Sequence, residues 1–134
     1  MSKIIAILSI TMLFAACSSL TANSRVTVSF AEVDGAGQDV RKLKFLLTDK
    51  PTWACTAGDW KKAKAIEDSD HYTKEPAYIL EGGKLDVLLI TGTCDSYNSY
   101  IGSLSGNIFI GEHVSTGLGS RKSIGKVTGT YSRP

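Results

Sequence analysis

From Arg25 onward the chain alternates apolar and polar residues with a period of two, the spacing that sends successive side chains to opposite faces of a β-strand. Val26, Val28 and Phe30 share one face, and Thr27, Ser29 and Ala31 take the other. Asp34 to Asp39, DGAGQD, breaks the pattern with turn-forming residues. Leu43, Phe45 and Leu47 then resume it against Lys42, Lys44 and Thr48, until Lys50-Pro51 ends the run. Two antiparallel strands joined by that loop are predicted. Residues 52–75 fit two patterns. Asp59 caps a short helix on which Trp60 and Ala63 stack, or Trp60, Lys62, Lys64 and Ile66 alternate with Lys61, Ala63 and Ala65 in a strand. The strand is the favoured assignment.

The clearest local signal is Ala77 to Ile90. Gly82-Gly83 supplies the positive φ that two-residue hairpin turns require. That register sets Glu81 opposite Lys84 as an ion pair, Leu80 opposite Leu85 and Tyr78 opposite Val87, so each pair agrees in chemistry. The stretch from Lys84 to Cys94, KLDVLLITGTC, reads as a strand buried on both faces. After a turn at Asp95-Ser96, Tyr97 to Leu104 predicts another strand, followed by a hairpin through Ile108, Ile110 and Val114. A turn on Ser105-Gly106 sets Ile101 opposite Ile110, and a turn on Gly106-Asn107 shifts the pairing by two. Ser115 to Ser120 is expected to be a small-residue loop, and Ile124 to Tyr131 a last strand. Ten of the thirteen glycines lie from Gly82 onward, several inside strands, where they mark bends or close backbone approach. The expectation is an all-β domain, a small antiparallel β-barrel or curved sandwich of about 7 to 8 strands.

Composition narrows the picture without naming a ligand. The chain is 43% apolar and 21% charged, as in an ordinary globular domain of 134 residues, with a net charge of +2. There is no basic stripe interleaved with aromatics, which argues against nucleic acid as a partner. Cys55 and Cys94 remain to pair once Cys17 is otherwise committed. There is no C-x-x-C and no His at zinc spacing, so a disulfide in an oxidising compartment is expected, and no metal or cofactor site is assigned.

The first residues form an export signal. A short positive start at Met1 to Lys3 precedes an apolar run from Ile4 to Phe14. As a helix that run spans roughly 17 Å at 1.5 Å per residue, short of the ~30 Å hydrocarbon core. It ends in LFAAC, Leu13 to Cys17, which resembles the signal of bacterial lipoproteins, although Phe14 stands three residues before the cysteine where that family usually has Leu. The resemblance implies cleavage of a signal peptide at 1–16 and lipidation of Cys17. It also implies an outer-membrane address, because Ser18 is not the Asp usually needed for inner-membrane retention. Residues 17–24 then act as the anchored tether and 25–134 as one domain. The alternative is cleavage after Ala22 and a soluble secreted product.

Enzyme signatures fail on alignment. In GSLSG, Gly102 to Gly106, Leu104 occupies the centre where a nucleophile elbow needs Ser. The acidic cluster of Glu67, Asp68, Asp70 and His71 lacks the spacing of a calcium loop and is expected to be a solvated loop. His113 shares a strand face with Phe109 and Gly111, while Glu112 points the other way. A structural or surface histidine, and not a catalytic one, is the reading. Asp95, Tyr97, Asn98 and Tyr100 make a polar aromatic patch suited to partner binding, and the tyrosines suit a strand core equally. In compartment, size, disulfide and strand content the domain resembles the small bacterial lipoproteins that inhibit cell-wall hydrolases such as lysozyme, or neutralise toxins as immunity proteins. The implied function is non-catalytic binding of another macromolecule in the envelope. The alternatives are a barrel carrying an apolar ligand, a structural envelope protein and, last, a hydrolase; a carrier predicts a cavity lined from residues 85–91, whereas an inhibitor predicts a filled core and a protruding loop at 95–100 or 115–120.

Overall fold

The computed structural model describes residues 25–134. The signal peptide, the lipidated Cys17 and the tether, expected at 1–24, lie outside the described residues. Eight antiparallel strands follow one another in chain order, and the last pairs with the first to close a barrel. They are β1 (Val26–Val33), β2 (Asp39–Pro51), β3 (Lys61–Asp68), β4 (Ala77–Glu81), β5 (Lys84–Leu88), β6 (Ser96–Ser105), β7 (Ile108–Gly117) and β8 (Ser120–Ser132). The alternation dictates the inside. Val28, Phe30, Leu43, Phe45, Leu85, Val87, Tyr100, Phe109 and Val127 are all buried in one core cluster. Phe30 is its hub, meeting Phe45, Tyr100 and Phe109 edge to face at 6.0, 5.3 and 5.0 Å between ring centroids. Such a small barrel is filled by its own side chains.

The β4–β5 hairpin forms in the expected register, Tyr78↔Val87, Leu80↔Leu85 and Glu81↔Lys84, with Gly82 and Gly83 at φ 58° and 75°. Among the described residues, however, no ion pair joins Glu81 to Lys84. Ser105↔Ile108 places the β6–β7 turn on Gly106-Asn107. Residues 61–68 are strand, with Ala63 and Ala65 toward the barrel and Ile66 51% exposed outside it. Two expectations need correction. Strand β5 stops at Leu88, because the backbone bends at Leu89 and Ile90 bridges in parallel to Lys74. The predicted loop at 115–120 contracts to a two-residue turn, Leu118-Gly119, with Ser115↔Lys122 through Gly117↔Ser120 paired.

The glycines explain how the wall of β6, β7 and β8 comes so close to the core. Gly102 faces Gly111 across the β6–β7 ladder. A Cβ on either would overlap the neighbouring strand and stand 2.7 or 2.6 Å from Cζ of Phe109. The ring therefore fills the space that two side chains would otherwise take.

A second cluster lies outside the barrel. The segment between β2 and β3 straps back over the wall, packing Ala54 and Trp60 on Ala77 and Leu88, with Ile79 and Tyr97 at its edges. Trp60 Nε1 donates to Thr56 O at 3.0 Å, which holds the strap in shape. Leu88 is thus buried by the outer layer while Leu85 and Val87 are buried by the inner one. The sequence pattern of burial on both faces has this origin. Cys55 on the strap is bonded to Cys94, with Cα atoms 5.1 Å apart. Beneath the strap β3 and β4 meet through only two register pairs, Lys61↔Tyr78 and Lys62↔Ala77.

Candidate functional site

Four strands carry charged or polar residues where their inward phase reaches one end of the barrel. Glu32 continues the inward series of Val28 and Phe30, and Arg41 precedes that of Leu43, Phe45 and Leu47. The β1–β2 register sets the two opposite each other. His113 occupies the inward phase of β7, opposite Tyr100 of β6. The Glu32 carboxylate, 4% exposed, accepts from Arg41 Nη1 at 2.7 Å and from the Tyr100 hydroxyl at 2.6 Å through Oε2. Its Oε1 lies 2.7 Å from His113 Nδ1. Tyr72, from the β3–β4 connection, stacks on the Arg41 guanidinium at 3.6 Å and covers the group. Burial pushes the Glu32 carboxyl up, but the hydrogen bonds from Tyr100 and His113 and the charges of His113 and Arg41 outweigh it. The net effect is to hold Glu32 below the ordinary carboxylate range. Burial and the adjacent Glu32 keep the Tyr100 hydroxyl protonated.

The Glu32–His113 pair has the shape of an acid orienting a base. A general base must also come within hydrogen-bond reach of a substrate proton. His113 is 1% exposed, and its Nε2 is buried without a hydrogen bond among the described residues. In this conformation the group ties four strands and the Tyr72 connection together. The connection is itself held by Asp68, which accepts from Tyr72 N, Thr73 N and the Thr73 hydroxyl at 2.9, 2.8 and 2.7 Å. Glu67 and Asp68, expected in a solvated loop, thus end β3, and Asp68 anchors the connection that follows it.

The residues singled out for partner binding do not converge. Asp95 is exposed on the connection before β6, and Tyr97 turns outward, donating its hydroxyl to Cys94 O at 2.9 Å. Asn98 is half-buried, and Tyr100 has no exposure at all, being committed to Glu32. What does gather at the Asp95 end is a set of four connections, β2–β3, β3–β4, β5–β6 and β7–β8. Trp53, 72% exposed, lines a groove of about 300 Å³ with Glu75, Pro76, Thr91 and Gly92. The Cys55–Cys94 bond joins the Trp53 loop to Asp95. A Cβ at Gly117 would lie 3.5 Å from Asp95 O, so the β7–β8 turn stands beside it. At the tip of that turn Leu118 is 96% exposed at φ 44°.

Sequence reasoning passed over Glu32 and Arg41, and it marked the loop at 115–120 as a contact candidate without singling out Leu118. For the first two the signal is present: each is a charged residue in the inward phase of an otherwise apolar series. For Leu118 it is a large apolar residue beside a turn glycine. Comparison of the chain with protein-family models, with curated proteins and with solved structures finds no match in any of the three.

Proposed function

We propose that this chain is a lipid-anchored protein of the bacterial envelope, carried on the outer membrane by Cys17, whose barrel binds a protein partner without catalysis. A hydrolase inhibitor or an immunity protein acts in this way. The observation that carries the reading is Leu118. A leucine in the left-handed region costs roughly 1–2 kcal/mol, and its side chain gains no burial in return. Local strain of this kind gathers at contact sites. Trp53, Asp95 and the disulfide surround the same face, giving apolar anchors with a polar edge. The filled interior supports a surface binder over a carrier: Leu85, Val87 and Leu89, expected to line a carrier's cavity, have no exposure and pack within the core cluster.

The test separates folding from binding at one position. Leu118→Asn creates the residue pair that type I′ turns prefer and is expected to stabilise the domain by about 1 kcal/mol. The same change should weaken capture of the envelope partner at least tenfold in a pull-down with the mature domain. A partner held equally well by the variant refutes the assignment of this face. The anchor is tested by metabolic labelling with a fatty-acid analogue. Wild-type protein should take up label and move to the detergent phase, and Cys17→Ala should do neither. Unlabelled wild-type protein excludes lipidation.

A further inference from the structure

On the outer wall Asp86 lies midway along β5, between Ile79 of β4 and Ile101 of β6 in register. Its inward neighbours Leu85 and Val87 are fully buried, so its carboxylate belongs to the outside. There Ile79, Leu85, Asp86 and Ile101, with Glu81 and Lys84 at the hairpin end, line an open groove of about 380 Å³. Oδ1 of Asp86 is sealed from solvent and makes no hydrogen bond, the one carboxylate oxygen so placed among the described residues. Glu32, which is buried, and Asp68, which is half-buried, each accept three hydrogen bonds. A carboxylate withdrawn from water without a partner is costly. No lysine or arginine forms an ion pair with it among the described residues.

We propose that this groove is a docking site for a lysine side chain of a protein partner, its methylenes lying between Ile79 and Ile101 and its ammonium paired with Asp86. With Oδ1 sealed, the carboxylate presents a single oxygen, which suits one ammonium donor better than the two-pronged guanidinium fork. The open form of the groove suits a side chain arriving from another surface. Burial pushes the Asp86 carboxyl up to about 6, with Arg121 pulling weakly the other way. A cation that pairs with the ionised form then binds less tightly as the carboxyl protonates. Glu81 and Lys84 at the hairpin, Glu112 beyond Ile101 and Arg121 of β8 are the other charged groups around it. The inference rests on the binding reading above only for the bearer of the lysine.

The probe is n-butylammonium, the lysine side chain without its backbone, titrated into the whole domain while the methyl resonances of Ile79 and Ile101 are followed. Saturable shifts are expected at pH 7.5, with affinity falling about tenfold per pH unit below 6. Asp86→Asn, which removes an uncompensated charge and should fold at least as well, is expected to lose at least tenfold. Glu81→Gln and Glu112→Gln should lose less than twofold. Equal shifts from n-butanol, or unchanged binding by Asp86→Asn, overturn the site, and so does wild-type affinity that stays flat from pH 7.5 to 4.5. None of these outcomes touches the Leu118 result, so the groove and the loop face fail separately.

Discussion

Glu32→Ala should unfold in urea with a free energy about 3–5 kcal/mol below that of the wild type, the usual result of deleting one partner from a buried ion pair. The variant leaves the Arg41 guanidinium facing the barrel end without its anion. It also strips the acceptor from the Tyr100 hydroxyl and the partner from His113 Nδ1. Glu32→Gln keeps an oxygen in place and should lose less. The two also differ in pH response. Because the folded carboxyl is held below its ordinary value of 4.5, its contribution is complete above that pH and is lost as pH falls through the depressed folded value. Wild-type stability should therefore decline on acidification by a component that Glu32→Gln lacks. An alanine variant as stable as the wild type, or a glutamine variant with the same acid limb, contradicts this account of the barrel end.

Reduction of the Cys55–Cys94 bond should remove about 4 kcal/mol, the chain-entropy value for closing a loop of this length, against a total of about 5–15 kcal/mol for a domain. The loss has a second part here, because the bond holds the strap whose Trp60 buries Leu88 and Ala77. Urea midpoints of the oxidised protein and of the double variant Cys55→Ala/Cys94→Ala measure the sum. Trp60 fluorescence should redden in the variant before the barrel unfolds if the strap loosens first. Coincident transitions with a difference under 1 kcal/mol would show that strap and barrel hold without the bond.

The architecture is legible wherever one strand's own pattern decides the outcome. Val26, Val28 and Phe30 announce an inward face, and Gly82-Gly83 fixes a register that the structure reproduces pair by pair. Legibility fails where the answer depends on a strand far away. His113 can be placed on an inward face from Phe109 and Gly111, but its partner Glu32 is 81 residues distant and becomes a neighbour only when β8 closes onto β1. Arg41 and Glu32 sit one inward step beyond the apolar runs, at positions where a strand reading naturally stops. Tyr72 lies in an irregular connection whose path is set by Asp68 and by the bridge at Lys74, and no periodicity marks it. The candidate contact patch around Tyr97 dissolves for the same reason. Alternation separates Tyr97 from Tyr100, and only closure of the barrel shows that the inward one is consumed by the core.

The narrow meeting of β3 and β4 carries a mechanical consequence. Every other neighbouring pair of strands shares at least five register pairs, whereas this one shares two. Breathing of the cylinder therefore begins along that line, and the amides of Lys61, Lys62, Ala77 and Tyr78 are its first to yield. Trp53 and the sulfur bridge lie across the same line. A molecule gripping there would act as a clasp, stiffening the softest part of the wall at the moment it binds.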